Sequence, residues 1–238
     1  MRLMVTRPEP DAQRTAEKLR QQGHQVTVAP VLCVETLPEA TFGAGPFAAI
    51  VMTSANAARV VCAHPRRDEL LALPVFTVGR QTAEAARTAG FSTICSADGG
   101  FPELVRLIAA KLRLGGARLL YLAAEDRSGD LAKALAPHGI AVETVVIYRT
   151  VASPTLRRDL AAALAGGLDG VLHYSRRSAQ SFLLGAGTAG RLDDAVKLAH
   201  YCLSSEVAAP LRAAGATAVR VAARPEEAAL LELLGAAP

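Results

Sequence analysis

At 238 residues and 51% hydrophobic, the chain has enough apolar material to fill one large core or two small ones. Aromatics make up only 4%, with no tryptophan, and 26 Lys and Arg stand against 22 Asp and Glu for a net charge of +4. That leaves little for base stacking and too weak a field for a nucleic-acid footprint, but it suits a small polyanionic ligand.

The opening "MRLMVTRPEPD" reaches a proline and acids within a few residues, and no later window holds about 18 uninterrupted apolar residues. The reading is no membrane segment, no signal peptide and a cytoplasmic location. Cys33, Cys62, Cys95 and Cys202 are far apart, each in or beside an apolar run, so buried free thiols are expected rather than a disulfide framework or a metal pair.

In chain order, "RLMVT", "QVTVA", "AIVMT", "VFTV", "STIC", "RLLYL", "AVETVVI", "GVLHY", "HYCL" and "TAVRVA" read as strands alternating with helix-period segments. Such alternation predicts an α/β protein with parallel sheets. The ten runs fall into two sets of five, and the halves repeat. "RLMVTRPEPDAQRTAEKLRQQGHQV" parallels "RLLYLAAEDRSGDLAKALAPHGIAV", while "AARTAGFSTICSADGGFPEL" parallels "APLRAAGATAVRVAARPEEA". Gly23 matches Gly139 and Gly90 matches Gly215, each placed to end a helix. Residues 33–47 and the segment from 147, with Pro38 and Pro154 after extended stretches, read as two linkers between domains, which leaves Tyr148 and Arg149 outside the core strands.

Hydroxyl-bearing turns recur where predicted strands run into helices: Thr53-Ser54-Ala55-Asn56, Gly79-Arg80-Gln81-Thr82, Ser175-Arg176-Arg177-Ser178 and Ser204-Ser205. Any one of them is explained by simple helix capping. Together, at the carboxyl ends of strands, they point to anion binding by helix N-termini. Arg7 ends the first strand on the same edge, either as a ligand or as a solvated arginine. Tyr148 read from the residues alone is a packing side chain with a wet hydroxyl. Glu125 and Asp126 could serve as acid or base, but a solvated loop explains them as well.

Other signals fail. "GAGTAG" at 185–190 has the letters of a dinucleotide loop but follows a helix, so it reads as a helix–helix connection. There is no phosphate loop and no nucleophile elbow. The five histidines lack ligand spacing, and His173 and His200 fall in apolar strands as core residues.

Taken in order, "VTRP", "TSANA", "FTVGRQTAEAARTAGF", "YLAAEDRSGDLAKALAPHGIAVETVVIYRT", "YSRRSAQSF" and "LSSEVAAPLRAAGA" resemble the uroporphyrinogen-III synthase family, from the first strand to about residue 230. The resemblance implies two similar parallel-sheet α/β domains of flavodoxin-like type around an interdomain cleft: residues 1–34 with 152–238, and 39–146, joined by linker strands 35–38 and 147–151. It implies a monomeric enzyme without cofactor or metal that cyclises hydroxymethylbilane, a linear tetrapyrrole with eight carboxylates. The terminal hydroxyl leaves as water, and the last pyrrole ring is inverted through a spiro intermediate.

Tyr148 matches the family's favoured group for assisting that departure. Arg7, Thr53, Ser54, Asn56, Gly79, Thr82, Ser175, Ser178 and Ser204 are the implied substrate-binding residues. Two departures from the family pattern stand out: Ala123-Ala124 replaces a usual Arg-Gly, and Ser204 stands where the other half has Gly79. A non-catalytic tetrapyrrole-binding module is the alternative.

Overall fold

The computed structural model describes residues 1–112, 118–127 and 129–235, and divides into two compact units, Met1–Cys33 with Val151–Pro238, and Val34–Thr150. In the first unit, strand β1 (Arg2–Val5) leads through helix α1 (Asp11–Gln21) to β2 (Gln25–Val28). After the second unit it resumes with α7 (Leu156–Ala165), β9 (Gly170–His173), α8 (Arg176–Thr188), α9 (Leu192–Lys197), β10 (Ala199–Cys202), α10 (Ser205–Ala213), β11 (Val219–Val221) and α11 (Glu227–Gly235). Its sheet runs β11-β10-β9-β1-β2, and the strand pairs are parallel.

The second unit contains β3 (Leu32–Thr36), β4 (Phe47–Met52), α2 (Ala55–Cys62), α3 (Arg67–Leu71), β5 (Val75–Thr77), α4 (Arg80–Ala89), β6 (Ile94–Ser96), α5 (Phe101–Lys111), β7 (Arg118–Ala124), α6 (Leu131–Leu135) and β8 (Val142–Ala152). The sheet order is β3-β8-β7-β4-β5-β6. Laid against the first unit, β8-β7-β4-β5-β6 corresponds to β2-β1-β9-β10-β11: the same sheet, with the chain entering at a different strand. Registers agree over the central residues of each pair, with irregularities in the second unit between Phe47 and Ala49 and between Ala123 and Ala124. Leu3 sits opposite Gly170 as Leu119 sits opposite Ala49, and His200 opposite Val219 as Val75 opposite Ile94.

The reason these segments become buried strands is visible in their composition. Leu3, Met4, Val5, Ile50, Val51, Met52, Leu119, Leu120, Val171 and Leu172 are all fully buried, as expected of parallel strands covered on both faces by helices. Two glycines stop the matching helices α4 and α10 in left-handed conformation, Gly90 at φ +107° and Gly215 at φ +95°. Among the described residues no helix is long and apolar enough to cross a membrane.

Four sequence expectations change. The first linker strand does not stand apart, and the sheets are not wholly parallel: β3 hydrogen-bonds along β8, with bonds from Leu37 N to Ile147 O (2.9 Å) and from Ser153 N to Val31 O (3.0 Å) that make the pair antiparallel. Tyr148 and Arg149 lie inside the 11-residue strand β8, with Tyr148 opposite Ala124. β8 continues past its neighbour because β3 supplies a partner on its other side. The "GAGTAG" letters begin within α8, whose last residue is Thr188, so only Ala189 and Gly190 belong to the connection to α9. Of the four free thiols only Cys202 is buried; Cys62 is exposed because α2 turns Ala57, Ala58 and Val61 inward and leaves its last residue outside.

Candidate functional site

In the second unit, five parallel strands deliver their carboxyl ends to one edge, and the chain order reverses there between β4 and β7, the place where open α/β sheets leave a crevice. A cavity of about 460 Å³ lies at this point. Its walls include Thr53, Ser54 and Asn56 after β4, Val78 after β5, Tyr121 in β7, and Tyr148 and Thr150 in β8. Asp126, Arg127 and Phe101 complete the rim.

The turn after β4 is built by capping. Ser54 is extended and its Oγ accepts from Asn56 N at 3.2 Å, so the serine that starts α2 also holds the following residues at the cavity wall. Asn56 Oδ1 accepts from Arg59 Nη1 at 2.7 Å, which turns its amide nitrogen away from that arginine. Thr53 Oγ1 and the Tyr121 hydroxyl are 3.0 Å apart. Gly79 starts α4 without a side-chain cap and Thr82 is buried in the first turn of that helix. With no cap side chain in the way, the first N–H groups of α4 are open to an incoming anion.

Tyr148 is 3% exposed yet borders the cavity. Burial pushes its phenol above the ordinary value; the Ser54 hydroxyl opposes the shift and Tyr121 adds to it. The phenol therefore keeps its proton at neutral pH and is available as a hydrogen-bond donor.

In the first unit the corresponding edge carries the other predicted residues. Ser175 caps α8, accepting from Ser178 N at 3.0 Å, and its Oγ lies 2.8 Å from that of the buried Ser178. Ser204 caps α10, accepting from Val207 N at 3.4 Å. Arg7 is drawn into a cluster of its own: Nη1 donates to Glu227 Oε1 at 2.9 Å and Nη2 lies 3.4 Å from Asp11 Oδ2, while the guanidinium covers the Tyr174 ring at 4.2 Å.

Thus Thr53, Ser54, Asn56 and Tyr148 share one cavity; Gly79 and Thr82 stand at the neighbouring helix start; Arg7, Ser175, Ser178 and Ser204 lie on the matching edge of the other unit. Sequence reasoning missed Tyr121, which sits in the middle of an apolar strand with no local polar signal, and Arg127, which a solvated loop accounts for equally well. Asp126, set aside as loop, is at the rim.

The family model for uroporphyrinogen-III synthase HemD matches residues 13–232. The chain belongs to the uroporphyrinogen-III synthase family. The fold agrees with solved structures of that activity. Uroporphyrinogen-III synthetase from Helicobacter pylori is 19% identical with a TM-score of 0.66, over 98% of each chain. A mutant uroporphyrinogen III synthase from the extremely thermophilic bacterium Thermus thermophilus is 18% identical with a TM-score of 0.51, over 99% of this chain and 97% of that one. No curated protein gives a significant match. The chain is therefore a lyase of tetrapyrrole biosynthesis.

Proposed function

We propose that hydroxymethylbilane is the substrate and that the cavity holding Tyr148 is where its terminal hydroxyl departs. The carrying observation is a protonated phenol, nearly buried, at the wall of a cavity lined otherwise by hydroxyls, an amide and helix N-termini, with the charged Asp126 and Arg127 at its rim. Eight carboxylates need many donors more than they need a strong field, and serine turns fit a chain of net charge +4. Thr53, Ser54, Asn56, Gly79 and Thr82 in one unit and Ser175, Ser178 and Ser204 in the other are the proposed carboxylate ligands.

The pyrrole nitrogen lone pair drives cleavage of the carbon–oxygen bond; the departing hydroxyl takes up a proton and leaves as water, and loss of the pyrrole N–H proton leaves a neutral azafulvene. Tyr148 O–H donates to the departing oxygen, which stabilises charge as it develops there. Ring closure then depends on holding the last pyrrole so that its substituted carbon is presented, a task of positioning rather than of acid strength. The working form proposed is a cytoplasmic monomer, on the sequence grounds given above. Hydroxymethylbilane generated in situ, followed by oxidation and separation of the isomers, tests the assignment: the III isomer should dominate, and a product ratio equal to the enzyme-free control would refute it.

A further inference from the structure

Glu227, the first residue of the C-terminal helix α11, gathers donors from three other elements of its unit. Oε1 accepts from Arg7 Nη1 at 2.9 Å, Thr15 Oγ1 at 2.6 Å and the Tyr174 hydroxyl at 3.3 Å, and Oε2 pairs with Lys18 Nζ. Arg7 follows β1, Thr15 and Lys18 belong to α1, and Tyr174 follows β9 immediately before Ser175. The cluster is half-buried, with Arg7 and Glu227 side chains 16% and 25% exposed. Burial by itself would raise the Glu227 carboxyl, but hydrogen bonds from Lys18 and Thr15 and the charges of Lys18 and Arg7 hold it below the usual carboxylate range.

Arg7 is engaged by this chain's own groups through both terminal nitrogens. A carboxylate of the substrate reaching it would compete with Glu227 and Asp11, two partly buried acids already paired with its terminal nitrogens. Tyr174 is held from both sides: its ring lies under the guanidinium and its hydroxyl reaches Glu227. The next residue is the cap of α8.

We propose that Arg7, Tyr174 and Glu227 form a latch that fixes the Ser175 turn in its ligand-binding geometry, so that Arg7 is a positioning residue and not a substrate ligand. The proposal rests on the reading of Ser175 and Ser178 as carboxylate ligands, and it assigns α11 a purpose beyond covering the sheet. The latch acts on the shape of the binding edge, so its loss weakens binding and leaves the chemical step alone.

The test is the Glu227→Gln variant in the coupled assay, with amide hydrogen exchange at Ser175–Ala179 measured on the same protein. The latch predicts a KM raised about tenfold with kcat unchanged, the equivalent of losing one charge-assisted contact, together with faster exchange at the Ser178 amide. If Arg7 is instead a ligand masked by Glu227, KM falls, and the proposal is overturned. Unchanged KM, or a loss confined to kcat, overturns it as well. Should Glu227→Gln fail to fold, Tyr174→Phe keeps the ring over Arg7 and removes only the hydroxyl. There a KM rise of about threefold supports the latch and no change refutes it. Wild-type protein that makes no III isomer would remove the substrate assignment, and the exchange measurement would then judge the latch independently.

Discussion

The two units share one sheet plan, yet matching positions have been filled in opposite ways. In the second unit Met52 and Val75 are buried residues of the adjacent strands β4 and β5; the equivalent positions in the first unit are His173 and His200, both fully buried. At the carboxyl edge, Ala123, Leu131, Thr53 and Pro102 in the second unit correspond to Arg7, Thr15, Tyr174 and Glu227 in the first. At these four positions the second unit has uncharged side chains, while the first gathers a charged cluster. A duplicated sheet can thus keep its strand order while its two copies take side chains of different chemistry at matching positions.

The histidines give the largest way to break this comparison. His200 Nε2 lies 3.1 Å from Ala195 O, and a carbonyl only accepts, so that nitrogen carries the proton and Nδ1 must accept from His173 Nε2 at 3.1 Å. His173 Nδ1 is then a bare lone pair in the core, with no partner among the described residues. Phe182 on α8 packs in a T-shaped arrangement against both imidazoles, and Cys202 is the register neighbour of His173.

Burial lowers His200 to about 4, and burial followed by the neighbouring His200 lowers His173 well below its ordinary value. The unfolded chain takes up these protons near pH 6.5, so stability is complete above that pH and falls as the pH drops toward the folded value. The loss for His200 alone is on the order of 3 kcal/mol. Denaturant unfolding between pH 7 and pH 4 should show this slope, and His173→Met combined with His200→Val, the residues of the other unit, should flatten it. Glu227 contributes in the same direction but only at lower pH, where its depressed carboxyl takes up a proton.

A second comparison sets the cavity against the capped turns. Tyr148→Phe should lower turnover by about tenfold to a hundredfold, corresponding to roughly 1.5 to 3 kcal/mol in the transition state, with product binding little changed. Single-turnover kinetics on folded protein checks this, and unchanged turnover removes Tyr148 from the mechanism. Ser175→Ala should have a smaller effect, about 1 kcal/mol in binding, because the backbone N–H groups of α8 remain. Calorimetric titration with product measures it; abolition of activity in native-like protein would mean that this serine has a chemical role.

The strands and turns were legible because their signals are local. Period, β-branched runs and a Ser or Gly after β4, β5, β9 and β10 mark the edge without any knowledge of pairing. What stayed hidden depends on pairing. His173 and His200 are 27 residues apart and meet only through the β9–β10 register, and Arg7 meets Glu227 across 220 residues. Tyr121 reads as one more apolar strand residue until Thr53 is brought beside it. The strand character of Tyr148 was missed for a related reason: β3, which extends the sheet beside it, is short and runs into the Pro- and Gly-rich stretch 38–46.

The proposal that helix starts in each unit bind carboxylates is tested most directly by amide hydrogen exchange with and without product. The account predicts slower exchange at four places: Ser54–Ala57, Gly79–Thr82, Ser175–Ala179 and Ser204–Val207. Protection confined to one unit, or appearing instead at the opposite sheet edge around Arg2 and Gln25, would contradict it.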